Sequence, residues 1–535
     1  MKKTTTKKHP PKNNSLFTFV MKHIGRDGVY DESGLPDQTE IPYTWGNEDA
    51  EMFSPHEGTT CEMARQEILM SLKAWLTIPS ASNKEDLYNL VLSTPMIIVF
   101  KSLSKALLKE KLPFELVKLA DEWLHEARHR EVIKFAYLLC GVIGLDKIRT
   151  LYSRKLYDDL FKMAICEEFT LYLCTACYFS YIRPQQKIWY LLRHTNGWGK
   201  VFTLSLADFN TEQKQMWLLM HGLELRIFWP PVAPLIISGS RLTQRLQTPS
   251  CTYDFYKYAM NAISQYLLFL TPDESQEQYK LSSLLPRQVN FNVTDMITNI
   301  LRLAEPFMED PKNVTDVLSI AEWLRGVIAD ENWDIMEPNT CHLLIGKCEQ
   351  IIYQRDWLPV INEELFDENG VLDADVAELA SGIYVDIWDR VFTYLCAHPT
   401  DPTAISFCLH PCRDKDLSDP TLPALTKLRV QKVIDYINKN EIQVVKDEQA
   451  LVMITSFIED YPGSCTGMLI LALTSLSEGS RGLAALTLTH WEASDLTPAI
   501  KLALIKAQQL THNPFIAVVI EQLLNPVPEE PFEYN

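Results

Sequence analysis

Apolar residues recur at helical spacing along most of this chain. Leu116, Leu119, Ala120, Trp123 and Leu124 fall at i, i+3, i+4, i+7 and i+8, which places them on one face of a helix. Val132, Ala136, Leu139, Cys140 and Ile143 draw a second such face just downstream. The pair predicts a helical hairpin over residues 116–145, with Trp123, Leu124, Ala136 and Leu139 in the core. The same periodicity continues from about residue 61 to 525. Period-two alternation rich in β-branched residues, the mark of a strand, is nearly absent. Apolar helix faces without sheets must bury against other helices.

Punctuation between the periodic stretches sets the element ends. Asn196-Gly197 predicts the stop of a helix over 185–194, because the residue after a helix favours a left-handed backbone. Asn210 predicts an N-cap for the following helix, with Gln213 reaching back and Gly222 closing it. Asp373 predicts the cap of a long helix through 374–395. Trp229-Pro230-Pro231-Val232-Ala233-Pro234 must interrupt any helix that enters it. Glycines and prolines crowd residues 1–60, predicting a basic tail and irregular lead-in. Within it Phe17, Val20, Met21 and Ile24 predict one short amphipathic turn that docks on the body. The resulting organisation is a helical-repeat lobe over 61–240, a loop-rich connection over 241–292, an acidic helical-repeat lobe over 293–525, and an extended acidic tail over 526–535. LADEWLHEA at 119–127 resembles IAEWLRGVI at 320–328, which suggests that the lobes are related. The fold class expected is all-α, an α-α superhelix of degenerate repeats in two lobes.

Composition narrows the function. At 535 residues and 47% hydrophobic content the chain has ample material for a core. A formal charge of −19 repels phosphate backbones, so no nucleic-acid partner is expected. The charge is uneven. Residues 101–155 carry an excess of about five positive charges and 305–389 an excess of about sixteen negative ones. The acidic stretch is expected to attract basic partners, or the tail lysines Lys2, Lys3, Lys7, Lys8 and Lys12. The twelve cysteines are scattered, many in apolar helical patterns, which fits a reducing, cytoplasmic setting. The apolar run over 16–21 ends at Lys22 and lacks a small-residue cleavage site, so it does not read as a signal peptide. No segment approaches the ~18 apolar residues of a membrane span.

Several constellations could carry chemistry. His125-Glu126-Ala127-Arg128-His129 matches H-E-x-x-H, in which two imidazoles one turn apart bind zinc and the glutamate acts as base. Helical register places His125 about 180° and His129 about 220° from the apolar face, in solvent. Arg128 and Arg130 oppose a dication there. Cys174-x-x-Cys177 sits inside an apolar helix, where packing is favoured over a redox pair. Cys408-Leu-His410-Pro-Cys412 gathers three metal-ligand types in five residues but lacks a second cluster. Asn196-Gly-Trp-Gly-Lys200 resembles a phosphate loop without its strand or its Lys-Ser/Thr ending, so a turn anchored by Trp198 is expected. Asp367-Glu-Asn-Gly370-Val-Leu-Asp373 is calcium-like, with its glycine misplaced, and is expected to be a turn plus N-cap. The expectation is therefore no catalytic, cofactor or metal residue.

Four segments in order resemble a bacterial set of HEAT-like (HEAT/ARM) helical-repeat proteins. They are WLHEARHREVIKFAYLLCGVIG (123–144), HTNGWGKVFTLSL (194–206) followed by WLLMHG (217–222), GIYVDIWDRVFTYLCAHP (382–399) and YPGSCTGMLILALTSLSEGSRGLAALTLTHW (461–491). The resemblance implies an α-helical repeat fold. Some members are labelled limonene hydroxylase, which implies monoterpene oxidation. The residues here supply no haem, flavin, nicotinamide or iron-binding pattern for it. The function expected is a non-catalytic scaffold with an unidentified protein partner. The alternatives are that hydroxylase, or a zinc hydrolase through His125 and His129. A small-molecule substrate has no support.

Overall fold

The computed structural model describes residues 15–31, 34–37, 59–110, 112–272, 291–330, 335–399, 401–409, 422–444, 448–475, 477–511 and 514–525. Among them every regular element is helical. Among the described residues β-type bridging is confined to two isolated antiparallel bridges, Ile24 with Tyr30 and Phe366 with Leu372. The Lys-rich segment 1–14 and the acidic tail 526–535 lie outside the described residues.

The chain divides into two compact units. The first comprises Met1–Leu303 and Glu331–Met336, the second Ala304–Asp330 and Glu337–Asn535.

In the first unit the expected hairpin forms as helices Val117–Glu126 and Arg130–Ile143. Trp123 is 3% exposed, and Leu124, Ala136 and Leu139 are fully buried. Truncating a buried tryptophan of this kind to alanine costs about 3–5 kcal/mol. Burial on Arg130–Ile143 goes all round the helix, because it packs on Met96–Lys109, Val117–Glu126 and Thr170–Phe179 together. Thr170–Phe179 in turn touches Trp198–Leu204. The amphipathic turn near the start of the chain is the helix Leu16–Lys22, capped by Ser15 and docked by Leu16 and Val20. It packs on Val117–Glu126 and Arg154–Met163.

The second unit stacks helices in alternation. Pro402–Leu409 touches Glu448–Phe457, which touches Glu478–Thr489, which touches Pro514–Leu524. Thr466–Leu473 and Pro498–Leu510 form the companion row. Starts are fixed locally: Asp310, Asp373, Ser477 and Thr497 each accept a first-turn backbone N–H.

Three boundaries differ from the sequence reading. The helix after residue 210 is capped by Thr211, whose Oγ1 accepts the Lys214 N–H at 3.4 Å, so Asn210 lies one residue outside. The expected long helix through 374–395 is two, Ala374–Gly382 and Trp388–Ala397, broken where Tyr384 turns left-handed at φ 62°. The stretch 241–292, expected to be loop-rich, contains the 18-residue helix Tyr253–Leu270. Arg302 ties the next helix back to it, donating to the carbonyls of Leu246, Thr248 and Pro249. Residues 293–303 thereby belong with the first unit rather than the second.

Candidate functional site

Each unit carries one copy of the same small module. Its first part is a seven-residue helix followed by a tight turn: Leu16–Lys22 then 23–31, and Leu358–Glu364 then 365–373. The turns read GRDGVYD and DENGVLD. Gly25 and Asp367 each donate N–H to the carbonyl four residues on, Val29 or Val371, at 2.8 Å. Gly28 and Gly370 sit at φ 83° and 75°, a backbone that admits glycine without strain. The final aspartates close the loops, Asp31 N–H on the His23 carbonyl at 2.9 Å and Asp373 N–H on Leu365 at 3.0 Å.

The second part is a run of three helices. Thr170–Phe179 and Ala374–Gly382 each end in a left-handed tyrosine, Tyr181 or Tyr384. A bulky side chain is rare there, so its presence in both copies marks a shared backbone demand. Gln185–His194 and Trp388–Ala397 follow, each bearing Tyr-x-x-x-His at its end. The rings stack, Tyr190 on His194 at 4.1 Å and Tyr394 on His398 at 4.2 Å. Short helices Trp198–Leu204 and Pro402–Leu409 complete the run.

The copies differ where turn meets stack. In the first unit the turn lies against the rings: a Cβ on Gly28 would stand 2.7 Å from His194 Cδ2 and 2.8 Å from the Tyr190 hydroxyl. In the second unit nothing stands within 4 Å of a Cβ on Gly370. A cleft of about 560 Å³ opens there, lined by Phe366, Gly370, Asp389, Arg390, Tyr394 and His398 among others. The Arg390 guanidinium lies 5.7 Å from the Phe366 ring centroid and donates to the Asn362 side-chain and backbone oxygens. Tyr394 donates its hydroxyl to Asp401 at 3.2 Å.

The short third helix is also capped differently. In the first unit the buried Glu167 carboxylate accepts the N–H groups of Asn196, Gly197 and Gly199 at 2.7–3.0 Å. Burial raises the Glu167 pKa, and those amides and Lys200 oppose the rise. The place a phosphate would take on 196–200 is thus filled by the protein's own carboxylate. Lys200 is buried, donates to the Glu224 carbonyl at 3.0 Å, and has its pKa lowered chiefly by burial. Trp198 packs edge-on against Trp229 at 5.3 Å, the anchor expected of it. In the second unit Asp401 caps locally through the Ala404 N–H at 2.9 Å.

The H-E-x-x-H match does not assemble. Its helix ends at Glu126, and His129 is the N-cap residue of the next. His125, expected in solvent, is 24% exposed, because the Leu16–Lys22 helix covers it and Phe17 meets its ring at 4.6 Å. Its Nδ1 faces Asp121 at 2.8 Å and its Nε2 faces Asp159 at 3.1 Å. Tyr152 adds a hydrogen bond to Asp121. With Nδ1 held by the Asp121 backbone carbonyl and carboxylate and Nε2 by the Asp159 carboxylate, the imidazole is a structural link between helices.

The remaining candidates scatter. Cys174 and Cys177 are buried in Thr170–Phe179, and burial pushes the Cys174 thiol up to about 12. Such thiols pack rather than react. Cys408 is buried; His410 and Cys412 lie outside the described residues. Asp367 serves its own turn, accepting the N–H groups of Asn369 and Val371, and Asp373 caps as expected. Among the described residues no group of three or more His, Cys, Asp or Glu is placed to hold a metal ion.

Sequence reasoning missed two features. One is the module itself, whose signals are G-V-x-D after the turn and Tyr-x-x-x-His. The other is a buried ion network in which Lys134 meets Glu168 at 2.7 Å and Glu131 at 3.4 Å. Comparison with family models, with curated proteins and with solved structures finds no match for the chain.

Proposed function

We propose that this chain is a non-catalytic, HEAT-like helical-repeat scaffold that binds another protein along its helix stacks. The observation that carries the reading is the alternation in the second unit, where every second helix from Pro402–Leu409 to Pro514–Leu524 touches the next. Stacked helix pairs of this kind hold side chains in rows on an extended surface, which is how repeat proteins recognise partners. The surface here is not uniformly polar. Leu486, Leu502, Ile505 and Val518 are 39%, 58%, 44% and 55% exposed on three of these helices. Leu502 and Ile505 share one face at i, i+3. The acidic composition favours a protein over a nucleic acid as partner. Among the described residues no helix is long and apolar enough to cross a membrane.

The enzyme readings have less behind them. A zinc hydrolase needs both histidines of 125–129 on one helix face with free nitrogens, and His125 spends its nitrogens on Asp121 and Asp159. The hydroxylase reading rests on a resemblance alone.

The test is affinity capture of the full chain from its native cell, beside a Leu502→Asp, Ile505→Asp double variant. Both positions are exposed, so the fold should survive. A protein recovered at near-stoichiometric yield with the wild type and lost with the variant supports the scaffold. Stoichiometric zinc lost on His125→Ala, or turnover of limonene by the purified chain, overturns it.

A further inference from the structure

The cleft of the second unit is one of the places where the two modules part company, and its lining has a definite chemistry. Aromatic faces come from Phe366 and the stacked Tyr394 and His398. The electron-rich faces of such rings attract cations. The Asp389 carboxylate stands exposed on the rim. His398 has its Nδ1 on the Tyr394 carbonyl at 3.2 Å, and the tautomer that donates its one proton there presents Nε2 as an acceptor. The single cation in the lining, Arg390, is already engaged by Asn362 and by the Phe366 ring.

The setting has the same sign. Within the second unit, residues 305–330 and 337–389 hold eighteen acidic side chains against four basic ones. Such an excess raises the local concentration of cationic groups and speeds their encounter. The volume, about 560 Å³, is in the range that receives a side chain or small ligand. The first unit supplies the control. There the turn closes on the stack with no gap at Gly28, so the module does not need a gap to fold.

We propose that the cleft between residues 366–372 and the Tyr394–His398 stack receives a lysine or arginine side chain carried on an extended basic segment of a partner protein. This rests on the scaffold reading and gives that scaffold a point of recognition. The cation would sit over the aromatic faces and pair with Asp389. The Nε2 of His398 would accept one of its hydrogens.

The test uses the full chain and a short fluorescein-labelled peptide of arginine and lysine spaced by glycine and serine, read by fluorescence anisotropy. Parallel peptides carry glutamine or glutamate in place of the basic residues. Thr393 and Ala397 are exposed on the helix that lines the cleft, so Thr393→Leu and Ala397→Leu crowd it without touching the core or adding an aromatic face. Asp389→Asn removes the rim charge. Glu309→Gln and Glu337→Gln remove exposed charges outside the lining. The expected result is binding of the basic peptide that weakens about tenfold or more with each cleft variant, and less than about twofold with the two controls. Circular dichroism of each variant should match the wild type. Three results overturn the proposal: no binding of the basic peptide, binding indifferent to Ala397→Leu, or loss as large with Glu309→Gln as with Asp389→Asn. Equal binding of the glutamine or glutamate peptide, lost with Ala397→Leu, overturns the basic occupant while leaving the scaffold reading standing.

Discussion

The two copies of the module use the same backbone and spend their polar groups in opposite ways. The first is closed and internally supplied: its turn sits on the Tyr190–His194 stack, and Glu167 reaches in from another element to cap Trp198–Leu204. Its leading helix, Thr170–Phe179, carries no charged residue and is almost wholly buried. The second copy is open and locally supplied: Asp401 caps its own helix, and Ala374–Gly382 carries Asp375 and Glu378. One backbone plan thus serves as core in one unit and as surface in the other. What decides the outcome is how much neighbouring structure surrounds it.

Removing the two caps should separate the copies most. Glu167→Ala leaves three buried amides without an acceptor and is expected to lower stability by about 3–5 kcal/mol. Asp401→Ala removes an ordinary N-cap, a loss of about 1 kcal/mol. Urea denaturation followed by circular dichroism measures both. Similar losses would mean that the trans cap is no more important than the local one.

The paired glycines give a smaller contrast. Gly28→Ala suffers both the positive φ and a clash with His194 and Tyr190, and should lose about 2–3 kcal/mol. Gly370→Ala suffers the backbone strain alone and should lose about 1 kcal/mol. Thermal melts of the two variants settle the order; equal shifts would remove the distinction between a closed and an open copy.

Asp316, on the helix Pro311–Ala329 that packs against the acidic helix of the second copy, makes stability depend on pH. Asp316, facing Asp375, Glu378 and Asp310, has a pKa raised to about 6, first by burial and then by those charges, against the pull of Lys312. A folded pKa above the unfolded one means that the native state holds the proton more tightly. Its contribution is therefore full below about pH 4 and is lost as pH rises through about 6. Asp316→Asn should stabilise the protein by about 1–2 kcal/mol at pH 7.5 and by almost nothing at pH 4. A gain that is the same at both pH values would exclude this cause.

Thiol labelling should show the smallest and most local difference. Cys396, exposed on the outer side of the Tyr394 helix, should react with a maleimide in the native state. Cys174 and Cys177 of the first copy should stay unlabelled until the chain unfolds. Peptide mass mapping after a brief pulse distinguishes them.

Much of the helical content was legible because amphipathic spacing is a local signal: Trp123, Leu124, Ala136 and Leu139 are buried as their register required. Caps were legible where a side chain serves its own turn, as Asp373 does. Long-range contacts were not. Nothing within residues 116–130 announces that Phe17, about a hundred positions earlier, covers His125. The break after Gly382 escaped because Tyr384 is left-handed without being glycine or asparagine. The module escaped because its two halves are adjacent in the second unit and split by about 140 residues in the first, so no fixed repeat period exists. The cleft could not be read at all, since GRDGVYD and DENGVLD differ less in sequence than in what lies across from them.

That split has a consequence for how the protein is born. Gly28 must find Tyr190 and His194, about 165 residues further along, whereas in the second unit the turn residue Phe366 meets Tyr394 only 28 positions later. On a ribosome adding roughly 5–20 residues per second, the first turn emerges on the order of ten seconds or more before its seat exists. The second forms almost as it leaves the tunnel. Until residues 117–163 have followed, the Leu16–Lys22 helix has its apolar side, Leu16 and Val20, without a home. A segment made well before its docking partners thus waits with apolar side chains uncovered, and nascent-chain chaperones that bind short apolar stretches would meet it there.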